Sequence, residues 1–432
     1  MKRIFFFTSL AFALSLAAQT QPTSPQRYTV TDLGPAASPF AQAAGLNDYG
    51  LVAGSETAPD GTSHAVIWYW GTLTNISNPG LKGPNSAAGG LNNFGQIIGA
   101  AETSTKDPNN ENFCGYGTGL QCLAFVWNFG VMTPLPTLGG TNAAWGAINN
   151  AGQISGYAEN TYRDPTCPKT AAVNGAGPQV LDFEPVVWGP APGHIQQLPL
   201  LALDTVGMAF GINDMGQVVG GTGTCANTVQ GGLASTPHAV LWDPDGTVHL
   251  LPGLGGLAPD TSILAVGTQA FSINNAGIIT GQATLANNTT FHPVLWQDEI
   301  VSDLGVLPGD LVGAGLSITN RGEVVGASVS APGPSTGNPR AFFWRDGVMS
   351  DLNDLVQADA PLYLLTAFGI NDAGDIVGFG ATGKGDVHGF LATPCREDAG
   401  CSNASTVAKA ARSVVLSEDA RKTLLSHGLR GR

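Results

Sequence analysis

Positive charge is scarce in this chain. Eighteen Lys and Arg stand against 32 Asp and Glu in 432 residues, a formal net charge of −14. Charge of either sign is thin, at 12% of residues, where an ordinary soluble domain carries about 25%. An acidic chain with so few cations offers no footprint to a phosphate backbone, which excludes nucleic acid and other polyanions as partners. Long hydrophobic runs are missing beyond residue 18, and the run at 4–18 is short for a membrane span, so none is expected. Local chemical motifs are missing as well. The chain has no Cys–x–x–Cys, no Asp–x–Asp–x–Asp calcium loop, no serine nucleophile elbow and no phosphate loop. No cofactor, metal or catalytic residue is therefore expected from a local motif.

Glycine is abundant, with 59 residues, and 43% of the chain is hydrophobic, with eight tryptophans. Such a chain buries a core, and its glycine, Asn, Thr and Ser suit an all-β protein of short strands and tight turns. The start, "MKRIFFFTSLAFALSLAAQTQP", has a basic pair, an apolar stretch and small residues after it. It reads as a signal peptide over 1–18, which predicts a secreted or periplasmic protein. Six cysteines agree with an oxidising compartment. Cys114 and Cys122 are close enough in sequence to close one loop and Cys395 and Cys401 another, which leaves Cys167 with Cys225, one of fifteen possible pairings. Charge is uneven: residues 28–394 carry a net −20 and residues 395–432 a net +3. The basic tail, 395–432, has good helix formers and a cap at Ser417, and a short helical tail is expected.

The stretch "AFGINDMGQVVGG" (209–221) settles the architecture, because it recurs. Its relatives are "AAGLNDYGLVAGS" (43–55), "AGGLNNFGQIIGA" (88–100), "AWGAINNAGQISGY" (144–157), "AFSINNAGIITGQ" (270–282), "GLSITNRGEVVGA" (315–327) and "AFGINDAGDIVGF" (367–379). After each comes a segment with an aromatic end, such as "HAVIW" (64–68) or "HAVLW" (238–242), and after the first six a fourth segment, such as "IVSDLGVLPG" (300–309). Trp68, Trp127, Trp188, Trp242, Trp296 and Trp344 share one position. Each unit therefore holds four short strands. Asn–Asp–x–Gly is hairpin chemistry between the first two, since Asn and Asp cap neighbouring amides and glycine adopts left-handed geometry freely. The seventh unit stops after its third strand, while "YTVTDLG" (28–34) is a fourth-strand segment with no unit before it. That arithmetic closes in a ring. The expectation is a seven-bladed β-propeller of four-stranded antiparallel blades over 28–394, with the N-terminal strand completing the last blade.

The unit resembles the HAF repeat of bacterial extracellular proteins. His64–Ala65–Val66, His238–Ala239–Val240 and His388–Gly389–Phe390 stand at the position that names the repeat, and the Asn–Asp–x–Gly and Asp–Leu–Gly segments match the rest. The resemblance covers 28 to about 394 and implies an extracellular bacterial protein without implying an activity.

His64, His238, His292 and His388 lie on four different blades, so a structural role is expected rather than a metal site. The six tryptophans are expected to pack between blades. The seven Asn/Asp pairs, Asn213–Asp214 among them, are expected to shape turns. A site is expected on the opposite face, where the loops between second and third strands are longest on adjacent blades two, three and four (100–122, 157–183 and 221–237). Those loops carry Cys114, Cys122, Cys167 and Cys225, and their expected exposed residues are Asn110, Phe113, Tyr116, Tyr162 and Arg163. The functional expectation is a monomeric, secreted, non-catalytic scaffold that binds a glycan, a peptide or a cell-envelope component. The alternative is a propeller enzyme, a glycan lyase or hydrolase, with acidic residues at the channel mouth.

Overall fold

Seven antiparallel sheets of four strands each follow one another along the chain. The computed structural model describes residues 26–34, 40–77, 80–167, 178–225, 236–256, 267–287, 289–298, 300–330, 339–395 and 416. Six blades are built from consecutive strands: 41–75, 82–134, 143–197, 206–250, 269–303 and 312–351. The seventh takes three strands from 363–394 and its outermost strand from Tyr28–Asp32, which pairs antiparallel with Val387–Pro394. The first strands of neighbouring blades touch all the way round, including 41–46 against 363–370, so the ring is closed. This is the predicted seven-bladed propeller. The expected signal peptide lies outside the described residues. So does the expected helical tail apart from Cys395 and Leu416; Leu416 is buried among Phe40, Leu365, Phe368 and Phe379. Among the described residues the α-helix is a single turn, Leu352–Leu355, and no helix is long and apolar enough to cross a membrane.

The repeated turn explains the repeated sequence. In the fourth blade, Asn213 Oδ1 accepts from the amides of Met215 and Gln217, at 3.0 and 2.9 Å, and Gly216 sits at φ 79°. The glycines of the strands serve close approach. A Cβ on Gly220 would lie 2.0 Å from the carbonyl oxygen of Met208, so no larger residue fits there.

Packing runs between blades. Trp188 buries against Ile98, Ala124 and Leu135 of blade two, Trp242 against Val187 and Leu198 of blade three, and Trp296 against Val219, Ala239 and Leu251 of blade four. Each of these indoles donates Nε1–H to a proline carbonyl of the preceding blade: Pro136 at 2.8 Å, Pro199 at 2.7 Å and Pro252 at 2.7 Å. Trp68 packs the same way against Val377 of blade seven, but its Nε1 has no partner among the described residues. Trp127 and Trp344 are half-buried in equivalent places.

Every innermost strand also carries a β-bulge. A bulge inserts an unpaired residue and re-aims its side chain. In blades four to seven that residue is Phe210, Phe271, Leu316 and Phe368. Phe210 and Phe271 lie 5.6 Å apart, and Leu316 packs against both this pair's cluster and that of Phe368. In blades one and two the position holds Ala44 and Gly89, with the Trp145 indole lying over Gly89. An apolar crescent thus occupies the innermost layer.

Candidate functional site

The Asn/Asp pairs do more than shape turns. The second residue of each pair accepts, through its side-chain oxygen, the backbone amide of the equivalent residue in the preceding blade. Asp48 donates to Asn93, Asn93 to Asn150, Asn150 to Asp214, Asp214 to Asn275, Asn275 to Asn320, Asn320 to Asp372, and Asp372 back to Asp48. The first residues form a second circle, in which each Asn amide donates to the carbonyl of the next blade's equivalent residue. Thr319 lacks the amide and breaks this circle, and there Arg321 reaches across to the carbonyl of Asp372 instead. Burial would raise the Asp214 carboxyl. The backbone amide of Asn150 and the side chains of Asn275 and Asn150 outweigh burial and hold it below its ordinary value. The backbone amide and both carboxylate oxygens of Asp214 are thus engaged in holding neighbouring blades.

The histidine position is a clasp between third and fourth strands. His292 bonds Asp303 at 3.0 Å, His388 bonds Asp32 at 2.9 Å, and His64 bonds Asn75 at 3.0 Å. Blade six uses Arg340 with Asp351 at 3.1 Å, and blade three uses Glu184 with Gln197. The same Asp or Asn accepts the amide two residues on, as Asp303 does from Gly305 at 2.7 Å, so the Asp–Leu–Gly segment is both clasp and turn. His238 departs from the pattern and bonds Asp204, in the connection between blades three and four, at 3.0 Å.

The described parts of the long loops of blades two to four, 100–122, 157–167, 178–183 and 221–225, are pinned to one another as a lobe. Cys114–Cys122 closes the blade-two loop, and Cys167–Cys225 ties the loop of blade three to that of blade four, both as predicted. Cys395 is disulfide-bonded, and its expected partner, Cys401, lies outside the described residues. Glu111 Oε1 accepts the amides of Val180 and Leu181 at 2.6 and 3.0 Å, clamping the blade-two loop onto blade three. Glu159 Oε2 accepts from the amide and side chain of Asn142, and Asp107 Oδ2 accepts from Thr141 and Asn142.

The five expected exposed residues divide. Asn110, Tyr162 and Arg163 are exposed, and Arg163 Nη2 donates to Asn109 Oδ1 at 2.5 Å across the two loops. Phe113 and Tyr116 are not exposed. Phe113 stacks 5.5 Å from Tyr157 inside the lobe, and Tyr116 bonds Ser63 of blade one, its hydroxyl pushed up by burial. An aromatic side chain in a long loop gains more from packing than from water, which is why the sequence reading erred on these two.

Buried carboxylates were missed by the sequence. Glu102, Asp107, Glu111, Glu159, Asp164, Asp182 and Glu184 are all buried, and all lie in blades two and three. Burial, and then the neighbouring charge of Glu111, lift Glu159 to about 8. Burial and the charge of Asp164 lift Asp182 to about 7, and burial lifts Glu184 to about 7 against the bonds it accepts from Gln197 and Asn160. Asp182 Oδ1 and Glu184 Oε2 have no partner among the described residues. Asp164, Asp182, Cys167 and Cys225 bring ligand-type atoms within 4.8 Å of one another, but the two sulfurs are bonded to each other. One signal was available: Glu184 stands where four other blades have histidine.

The fold and this lobe define a disulfide-stapled, seven-bladed β-propeller. No family model matches the chain, and no curated protein matches it. Among solved structures it is similar to a gluconolactonase from Xanthomonas campestris (10% identity, 86% of this chain and 95% of that one, TM-score 0.37). It is also similar to an ulvan lyase (12%, 84% and 95%, TM-score 0.40) and to a lectin from Aleuria aurantia (10%, 86% and 94%, TM-score 0.31).

Proposed function

We propose that this is an exported, non-catalytic propeller that binds a glycan of the cell envelope or its surroundings through the lobe over blades two to four. The observation that supports this reading is the cross-linking of the described loop segments of blades two to four. Two disulfides and the buried bonds of Glu111, Glu159 and Asp107 hold loops that the repeat does not require. On that base stand the Asn110 amide, the Tyr162 ring and the Arg163 guanidinium, which supply hydrogen-bond partners for sugar hydroxyls and a ring face for stacking. A fixed base keeps the ordering cost of binding low. The leader-like start and the likeness to HAF repeats support export and a bacterial extracellular setting.

A glycan array of the mature protein, run beside a turnover screen of the same glycans, tests this. We expect retention of at least one glycan with its mass unchanged. A peptide ligand, or no glycan at all, contradicts the proposal.

One observation favours an enzyme instead. Asp182 and Glu184, held near 7, lie in the range a general acid needs. Cleavage of a retained glycan, lost in Asp182→Asn or Glu184→Gln, would establish that alternative.

A further inference from the structure

Seven copies of one hairpin in one chain provide an internal control for what the turn itself requires. At the third position of the first-to-second-strand turn, blades three to seven carry Ala151, Met215, Ala276, Arg321 and Ala373, and the turn forms with each. Blades one and two carry Tyr49 and Phe94 there, 71% and 68% exposed. The third-to-fourth-strand turns repeat the contrast. Blades five and six place Asp298 and Asp346 in the left-handed region, at φ 50° and 51°. Blades one and two place Trp70 and Phe129 there, at φ 50° and 45°. Left-handed backbone suits Asp, Asn and Gly and strains a bulky aromatic residue. These two rings are also 85% and 88% exposed, so packing does not compensate the strain.

All four rings stand on the same face, because the two turn types share it, and on adjacent blades. Asp48 and Asn93 hydrogen-bond directly, which sets the turns of Tyr49 and Phe94 side by side. Each ring precedes a left-handed glycine, Gly50, Gly71, Gly95 or Gly130, around which a Cβ would meet nothing within 4 Å. The tips therefore stand clear of the rest of the protein. Tyr69, half-exposed and edge-on to Trp70 at 6.1 Å, widens the outer platform of blade one.

Chemistry between the rings narrows the partner. Across these turns and the fourth strands Thr72–Asn75 and Val131–Pro134, the one charged side chain is Asp48. The others offer amides and hydroxyls, as Asn128, Thr72, Thr74 and Thr133 do. Without a cation the strip cannot hold an anionic lipid or a polyanion. Rings separated by polar groups, one tip at a time, match a chain of repeating units that each present an apolar face and hydroxyls.

We propose that the tight-turn face of blades one and two binds a neutral polysaccharide on Tyr49, Trp70, Phe94 and Phe129. This goes beyond the lobe reading, since it uses the opposite face and none of the same residues.

Affinity electrophoresis through gels containing xylan, glucomannan, mixed-linkage β-glucan or dextran, with polygalacturonate as the anionic control, tests it. The wild-type protein should be retarded by at least one neutral polymer and not by polygalacturonate. The variant Tyr49→Ala/Trp70→Asn/Phe94→Ala/Phe129→Asn should lose at least tenfold in affinity. Its Tm should hold or rise, because Asn accepts left-handed backbone more readily than Trp or Phe. A Met215→Ala variant, changed at the same turn position of blade four where the side chain is 67% exposed, should be retarded as the wild type is. Absence of retardation by every neutral polymer overturns the proposal, and so does equal retardation of the four-ring variant. It is overturned equally if the wild type is a dimer that the four-ring variant dissolves, since the strip would then be covered by a second copy.

Discussion

The side-chain amide of Asn371 donates to the backbone carbonyl of Asn47 at 3.1 Å, joining positions 324 residues apart. This bond closes the inner circle of the tight-turn face at the junction of the last blade with the first. It is a second closure, beside the pairing of Tyr28–Asp32 with the last blade. Asn371→Ala removes the donor and also the acceptor that caps its own turn. We predict a loss of about 1–3 kcal/mol in urea unfolding, from a buried polar group left unpaired.

Thr319 predicts the opposite. It is the one member of the inner circle without a side-chain amide, and Thr319→Asn should restore the missing donor while keeping the turn cap. A gain of about 0.5–1.5 kcal/mol is expected by thermal unfolding. Unchanged or lower stability would show that Arg321 already completes the circle.

The tryptophans should divide into two groups. Trp188, Trp242 and Trp296 each donate to a proline carbonyl, and Trp68 finds no acceptor among the described residues. Substitution by phenylalanine keeps most of the buried surface and removes the donor. Trp68→Phe should therefore cost about 1 kcal/mol less than Trp296→Phe, whereas alanine at either position should cost roughly 3–5 kcal/mol.

Mild acid should tighten the lobe. Glu159 ionises near 8 in the folded protein against an ordinary value of 4.5. A raised carboxyl favours folding fully below its unfolded value, and that contribution disappears as pH rises through the folded value. Asp182 and Glu184, both near 7, act with the same sign. Tm should fall from pH 5 to pH 9, and Glu159→Gln should flatten that slope. A Tm that rises over this window would contradict the burial of neutral acids.

The ring of blades was legible because its signals are local or countable. Asn–Asp–x–Gly sets a hairpin within four residues, the tryptophan marks each third strand, and "YTVTDLG" supplied the missing fourth strand. The two concentric circles were not legible. The Asn213 amide donates to Asn274, 61 residues away, and nothing in the hairpin reveals that its neighbour will stand there. The lobe was legible in its length and cysteines, and Cys167–Cys225 followed from loop adjacency. Its interior was hidden, because the bond from Leu181 to Glu111 depends on two irregular loops that no repeat describes.

Shared positions of the repeat build the ring, and the loops and turn residues that the blades do not share recognise. The most direct measurement is calorimetric binding of the best glycan from the array to Tyr162→Ala/Arg163→Ala and to Asp214→Ala, each below its own unfolding transition. The lobe variant should lose binding with Tm unchanged. The Asp214 variant should lose stability, as its bonds to Asn150 and Asn275 disappear, and bind as the wild type does. Selective loss of binding in Asp214→Ala, with the lobe variant unaffected, would contradict it.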